Sequence, residues 1–180
     1  EPWEFDAAHA IFEQQRQWLS DRRKKLPTGI RYGAMLEVPA LAEVLDVLLP
    51  KLDFLSIGTN DLTQFLFAAD RAHPKLAQRY DWLSIAILRF LNRVVCACDA
   101  AAVPVSVCGE MGGRTLEAMT LLGLGVRRLS ITPASVGPVK AMVRSIDVGS
   151  LRDFVQRMLV DAPAESREQL RAYAELMYVD

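Results

Sequence analysis

The sequence predicts an α/β protein with about four short parallel strands, each followed by a helix. Three observations predict it. Four apolar runs, at 30–36, 53–57, 104–107 and 128–131, alternate with stretches of helical periodicity. Each run ends in glycine, proline or small polar residues, where a chain turns from strand to helix. The runs are short and largely apolar, as strands are when both faces of a parallel sheet are covered, and strand–helix alternation implies right-handed crossovers.

The elements follow in order. Residues 5–25 read as a leading helix, because Phe5, Ala8, Ile11, Phe12, Gln15, Trp18 and Leu19 recur at helical spacing. The basic run Arg22-Arg23-Lys24-Lys25 is its solvated end, favourable to the helix dipole, and Pro27, Thr28 and Gly29 break it. Strand 30–36 leads into Glu37, and Pro39 opens a helix through 49. Strand 53–57 ends in Gly58-Thr59-Asn60-Asp61, with the next helix starting at Asp61 or Leu62. Beyond a loop with His73-Pro74, Ser84 caps a helix reaching 102, with Ile85, Leu88, Leu91, Val94, Val95 and Cys98 on its apolar side. Strand 104–107 ends in Cys108-Gly109-Glu110, and a helix over 115–122 stops at Gly123 and Gly125. Strand 128–131 is followed by Thr132-Pro133-Ala134-Ser135 and a helix through 144; two more helices fit 150–160 and 165–178.

A chain of 180 residues makes one domain with a real core. Four strands fit an open doubly wound sheet, or half of a (β/α)8 barrel, which needs about 250 residues when complete. The leading helix, with no strand before it, suggests a segment of a longer parent.

Composition excludes several classes. With 51% hydrophobic and 24% charged residues the chain is an ordinary globular protein. A net charge of -1, from 21 basic and 22 acidic residues, offers no general attraction for nucleic acid or an anionic membrane. No apolar run approaches a membrane span, and the N-terminus is no signal peptide. Three cysteines, Cys96, Cys98 and Cys108, with no paired spacing argue for reduced thiols in the cytoplasm. Cys96 and Cys98 point to different faces of one helix, a poor metal pair.

In both parallel architectures ligands bind beyond the carboxyl ends of the strands. Four segments end there in chemically useful residues: Glu37; Asn60 and Asp61; Cys108; Thr132 and Ser135. Glu37 alone reads equally as a helix-start charge or a ligand, and Asp61 alone as a cap or turn former. Two carboxylates on successive strand ends together favour a metal. Mg²⁺ suits them, since it takes one or two carboxylates and completes its shell with water and substrate phosphate; zinc would want a His or Cys cluster. Arg71 lies in a loop long enough to fold back over the rim and clamp a phosphate or carboxylate. Cys108, between Val107 and Gly109, is either a small buried hydrophobe or a proton donor at a strand end. His9 shares a helix face with Phe5 and Phe12 and reads as structural, and His73 lies beside a proline.

Several segments resemble a known family. Gly33-Ala34-Met35-Leu36-Glu37-Val38-Pro39-Ala40 resembles the metal-carboxylate strand of the phosphoenolpyruvate-utilising enzymes. Ser56-Ile57-Gly58-Thr59-Asn60-Asp61-Leu62-Thr63-Gln64 resembles their most diagnostic segment, and Val107-Cys108-Gly109-Glu110 their proton-donor segment. Within the family the chain resembles enzyme I of the bacterial phosphotransferase system. Phe65-Leu66-Phe67-Ala68-Ala69-Asp70-Arg71 and Ser135-Val136-Gly137-Pro138-Val139-Lys140-Ala141-Met142 are similar to its nitrogen-related branch.

The resemblance implies that residues 1–180 are one partial domain, the C-terminal half of a (β/α)8 barrel plus C-terminal helices. It implies transfer of phosphoryl from phosphoenolpyruvate to a histidine of the same enzyme and on to an HPr-like phosphocarrier protein. Glu37 and Asp61 would hold Mg²⁺, Asn60, Asp61 and Arg71 would contact substrate, and Cys108 would protonate the enolate carbon. The family's barrel forms a homodimer. The acceptor histidine belongs to an N-terminal domain, in a Thr-Ser-His-like segment that His9 and His73 do not match, and two substrate arginines belong to earlier strands. The isolated chain is therefore expected not to turn over. Two other readings are a fragment of a pyruvate phosphate dikinase or phosphoenolpyruvate synthase barrel, and a non-catalytic module for ligand binding and dimerisation.

Overall fold

The computed structural model describes residues 1–76, 80–177 and 179. It holds a parallel sheet of four strands: β1 (Gly33–Leu36), β2 (Phe54–Gly58), β3 (Val105–Cys108) and β4 (Leu129–Ser130). The spatial order is β1-β2-β3-β4, every neighbour parallel. An order that never reverses has no switch point of the doubly wound kind. It is the order of consecutive barrel strands, so of the two predicted architectures the partial barrel fits.

Helices precede, connect and follow the strands: α1 (Pro2–Asp21), α2 (Leu45–Leu48), α3 (Thr59–Leu66), α4 (Ile85–Ala100), α5 (Thr115–Gly123), α6 (Pro133–Ser145), α7 (Val148–Asp161) and α8 (Ser166–Leu176). The end predicted for the last helix, 178, lies outside the described residues. The segment predicted as one helix over 39–49 is instead 3-10 turns at Pro39–Val44 and Leu49–Lys51 around the single α-turn of α2. Pro50 can donate no backbone bond there, so the span between two prolines is too short to settle into a regular helix. Ser84 does start α4, but its hydroxyl makes no cap bond and is buried with no partner among the described residues.

Register decides which side chains meet. Ala34 pairs with Leu55, and Leu36 with Ile57 and so with Val107. Leu36, Leu55, Ile57 and Val107 are fully buried under α4 and α5 with Leu88, Leu91, Val94, Ala118 and Leu121. The alternate positions Met35, Ser56, Ser106 and Cys108 fall on the opposite face and are exposed or half-buried. The expectation that both faces are covered therefore needs correction: among the described residues only the helix side is. The last helix packs on the chain's own core, with Leu170 fully buried and Tyr173 stacked on Phe154.

One charged cluster locks α8 to the body. Arg167 donates two hydrogen bonds to Asp81, both of 2.6 Å, and a third of 2.7 Å to the buried Glu117 of α5. Burial pushes the Asp81 carboxyl up, but bonds from Arg167 and the Leu83 N–H outweigh it and hold it below the usual carboxylate range.

Candidate active site

The predicted residues meet at the carboxyl ends of β1, β2 and β3. Glu37 continues β1 beyond Leu36, whose partner is Ile57, and so lies alongside Gly58. A side chain at Gly58 would meet Glu37 Cβ at 3.1 Å and Oε2 at 3.3 Å. Glycine at this point therefore makes room for the Glu37 carboxylate to lean across the end of β2.

β2 turns into α3 with no loop. The helix starts at Thr59, two or three residues earlier than predicted, so Asn60 and Asp61 stand in its first turn. That turn is stitched to β3: Thr59 Oγ1 donates to the Cys108 carbonyl at 2.9 Å, and the Glu110 N–H donates to Asn60 Oδ1 at 3.2 Å. The docking requires Gly109, which has φ +99°. A Cβ there would sit 2.7 Å from Thr59 Oγ1 and 3.0 Å from Asn60 Oδ1. With Oδ1 engaged, the amide nitrogen of Asn60 is the group left to face a ligand.

The loop after α3 folds back as predicted. Arg71 donates its backbone N–H to Gln64 Oε1 at 3.2 Å, and its guanidinium comes within 3.5 Å of Asp61. Both side chains are about half exposed, 53% and 43%. Such a pair contributes little to stability, so both groups remain available to a ligand.

Cys108 is half-buried. Its thiol donates to the Ile57 carbonyl at 3.5 Å, while Ser56 Oγ donates to the sulfur at 3.6 Å. A proton leaving this sulfur would leave a thiolate already facing a hydroxyl donor. Cys98 differs: it is fully buried, and burial, with Asp99 adding to it, pushes its thiol up to about 11.

A cleft of about 440 Å³ opens beside these groups. Asn60, Gln64, Asp70, Arg71, Glu110 and Arg114 contribute to its lining, with Tyr80 and Trp82. Asn60, Asp61 and Arg71 are thus brought together, and Cys108 joins them through Thr59. Glu37 and Cys108 lie on the rim outside this cleft. Thr132 and Ser135 bond each other at 3.1 Å near Gly113, in and before the first turn of α6. Sequence reasoning missed Arg114 and Trp82, whose guanidinium carbon and ring centroid lie 4.9 Å apart. The available signal was a basic residue directly after Gly112-Gly113, at a helix start where the dipole disfavours it.

The donor chemistry fits Mg²⁺. Glu37 and Asp61 offer hard carboxylate oxygens from adjacent strand ends, and the glycine beside Glu37 keeps its approach clear. No group of three His, Cys, Asp or Glu among the described residues forms a closed all-protein metal cage. A two-carboxylate site completed by substrate oxygens needs none.

The sheet order and the polar rim define an α/β protein with a candidate ligand site at its strand ends, and comparison with known families makes it particular. Residues 1–148 match the family described as "PEP-utilising enzyme, PEP-binding domain", and the chain belongs to it. It is similar to the phosphoenolpyruvate-protein phosphotransferase of Cupriavidus necator, 37% identical over 95% of this chain and 29% of that protein. It is 38% identical to an Escherichia coli protein named phosphoenolpyruvate-dependent phosphotransferase system, over 81% of this chain and 20% of the relative. The multiphosphoryl transfer protein of Rhodobacter capsulatus is 41% identical over 72% of this chain and 16% of its own length. The chain thus spans less than a third of the length of these relatives.

Proposed function

We propose that these residues form the substrate and Mg²⁺ half of a phosphotransferase that moves phosphoryl from phosphoenolpyruvate to an enzyme histidine, and from there to an HPr-like phosphocarrier. The observation that carries the reading is the stitched turn at Thr59, Asn60 and Asp61, which ties an amide, a carboxylate and Arg71 to the end of β3 through the Cys108 carbonyl and the Glu110 N–H.

The residues divide the work. Glu37 and Asp61 would hold Mg²⁺, which supplies positive charge against the phosphoryl oxygens. Asn60 donates from its free amide nitrogen, and Arg71 leaves Asp61 for a bidentate grip on the anion. The histidine nitrogen attacks phosphorus and the bond from phosphorus to the enol oxygen breaks, leaving enolpyruvate as its enolate. Cys108 then gives its proton to the methylene carbon, forming pyruvate and a thiolate that Ser56 stabilises. Protonation at carbon makes the transfer downhill.

The four strands would be part of a (β/α)8 barrel that acts as a homodimer in the cytoplasm, within the nitrogen-related branch suggested by 65–71 and 135–142. The 180 residues by themselves would not turn over. His9 is packed against Phe5 and Tyr32, and His73 Nδ1 accepts the Lys75 N–H in a loop, so neither is offered as a phosphoryl acceptor. The test is isotope exchange between pyruvate and phosphoenolpyruvate. The full-length protein should catalyse it with Mg²⁺, and Cys108→Ser should lose it while still binding phosphoenolpyruvate. Exchange by the 180 residues alone, or normal exchange by Cys108→Ser, would refute the assignment.

A further inference from the structure

Arg71 sits in a loop with little packing of its own. Within 68–73 only Ala69 is buried, and the rest are exposed. The guanidinium's approach to Asp61, at 3.5 Å, is too loose to fix a long side chain. The loop is held by its main chain instead. Ala68, at φ +50°, turns the chain just past the end of α3. The Ala69 N–H then donates to the Gln64 carbonyl at 3.0 Å, and two residues on the Arg71 N–H donates to Gln64 Oε1 at 3.2 Å.

The side-chain bond is the one that places the arm. Gln64 stands three residues after Asp61 on α3, so the two share a helix face. Tying the Arg71 main chain to Gln64 therefore starts the arginine beside Asp61. The N–H groups of Ala72 and His73 donate to Asp70 within the loop, which shapes it without attaching it to the helix. The acceptor on α3 has to reach past the turn, and a neutral amide does so without setting a negative charge where an anion is to bind.

We infer that Gln64 is a positioning residue: its amide oxygen holds the Arg71 main chain, so less of the arm is left to be ordered when the ligand arrives. The inference rests on the functional reading above, in which Arg71 grips the anion.

Calorimetry with phosphoenolpyruvate and Mg²⁺ on the full-length protein tests this through a double-mutant cycle. Arg71→Ala should weaken affinity at least about tenfold, the worth of one charge-assisted bond. Gln64→Met keeps the side chain's length but removes the acceptor, and should weaken affinity about fivefold, the cost of ordering one side chain. In the Arg71→Ala background Gln64→Met should cost nothing more. No loss in Gln64→Met, or the same loss with and without Arg71, overturns the inference, since the second result would mean that Gln64 touches the ligand or merely supports the fold. Amide hydrogen exchange reads the same bond without ligand. The Arg71 N–H should lose protection in Gln64→Met and keep it in Gln64→Glu, which retains an acceptor oxygen; loss in both, or in neither, also overturns the inference. If Arg71→Ala leaves affinity unchanged while exchange behaves as expected, the functional reading of Arg71 fails and the hold on its loop stands.

Discussion

Arg167 and Arg71 each meet carboxylates, in opposite ways. Arg167 makes three hydrogen bonds of 2.6 to 2.7 Å to Asp81 and Glu117, and Glu117 is almost wholly buried. Arg71 makes one loose approach of 3.5 Å to an Asp61 that is about half exposed. In the first cluster both carboxylates are engaged by one guanidinium, so it resists change. The second has donors and acceptors to spare, held near one another by a folded-back loop. Residue types alone do not separate a brace from a binding site; saturation and burial do.

The comparison breaks most visibly at Arg167. Arg167→Met leaves Glu117 buried without its cation, and loss of one partner of a buried pair costs about 3–5 kcal/mol. Urea unfolding should show that loss. A smaller cost, near that of an exposed pair, would mean the cluster is not a brace. Gly109→Ala comes next. Its positive φ and the contact with Thr59 should cost about 2 kcal/mol, and the displaced turn should also weaken ligand binding. A change that lowered stability without touching binding would separate the turn from the site.

Acid sharpens the contrast further. Asp81 has its carboxyl held below its ordinary value of 3.8, so its contribution is present above that value and lost as pH falls through the lower, folded one. Arg167 is held above its ordinary value, by the Asp81 bond first, so its contribution is lost only at more alkaline pH than any working range. Stability should therefore be level across neutral pH and fall below about pH 4, less steeply in Asp81→Asn. The smallest effect concerns the thiols. Cys98 should resist alkylation at pH 8, while Cys96 and Cys108 react, and phosphoenolpyruvate should slow Cys108 alone.

Much of this was legible in the sequence, for identifiable reasons. Strand alternation and the glycine and proline punctuation located all four strands within a few residues. Glu37, Asn60, Asp61 and Cys108 announced themselves because polar residues at the end of an apolar run are conspicuous. The start of α3 was misplaced by two or three residues because Gly58 passes straight from strand to helix, where Thr59 bonds β3 rather than forming a loop. The Arg167 brace left no trace, since its partners lie 86 and 50 residues away in sequence. Arg114 showed only as a basic residue at a helix start, and Trp82 is brought beneath it by the folded chain alone. Local chemistry shows in a sequence, and long-range saturation does not.

The central claim is that Glu37 and Asp61 together carry Mg²⁺ for phosphoenolpyruvate, and it is best tested by titrating phosphoenolpyruvate into the full-length protein with and without Mg²⁺. Glu37→Gln and Asp61→Asn should each abolish the Mg²⁺-dependent part of the affinity while leaving the unfolding midpoint near that of the parent. Mg²⁺-dependent binding that survives in both variants would contradict the account.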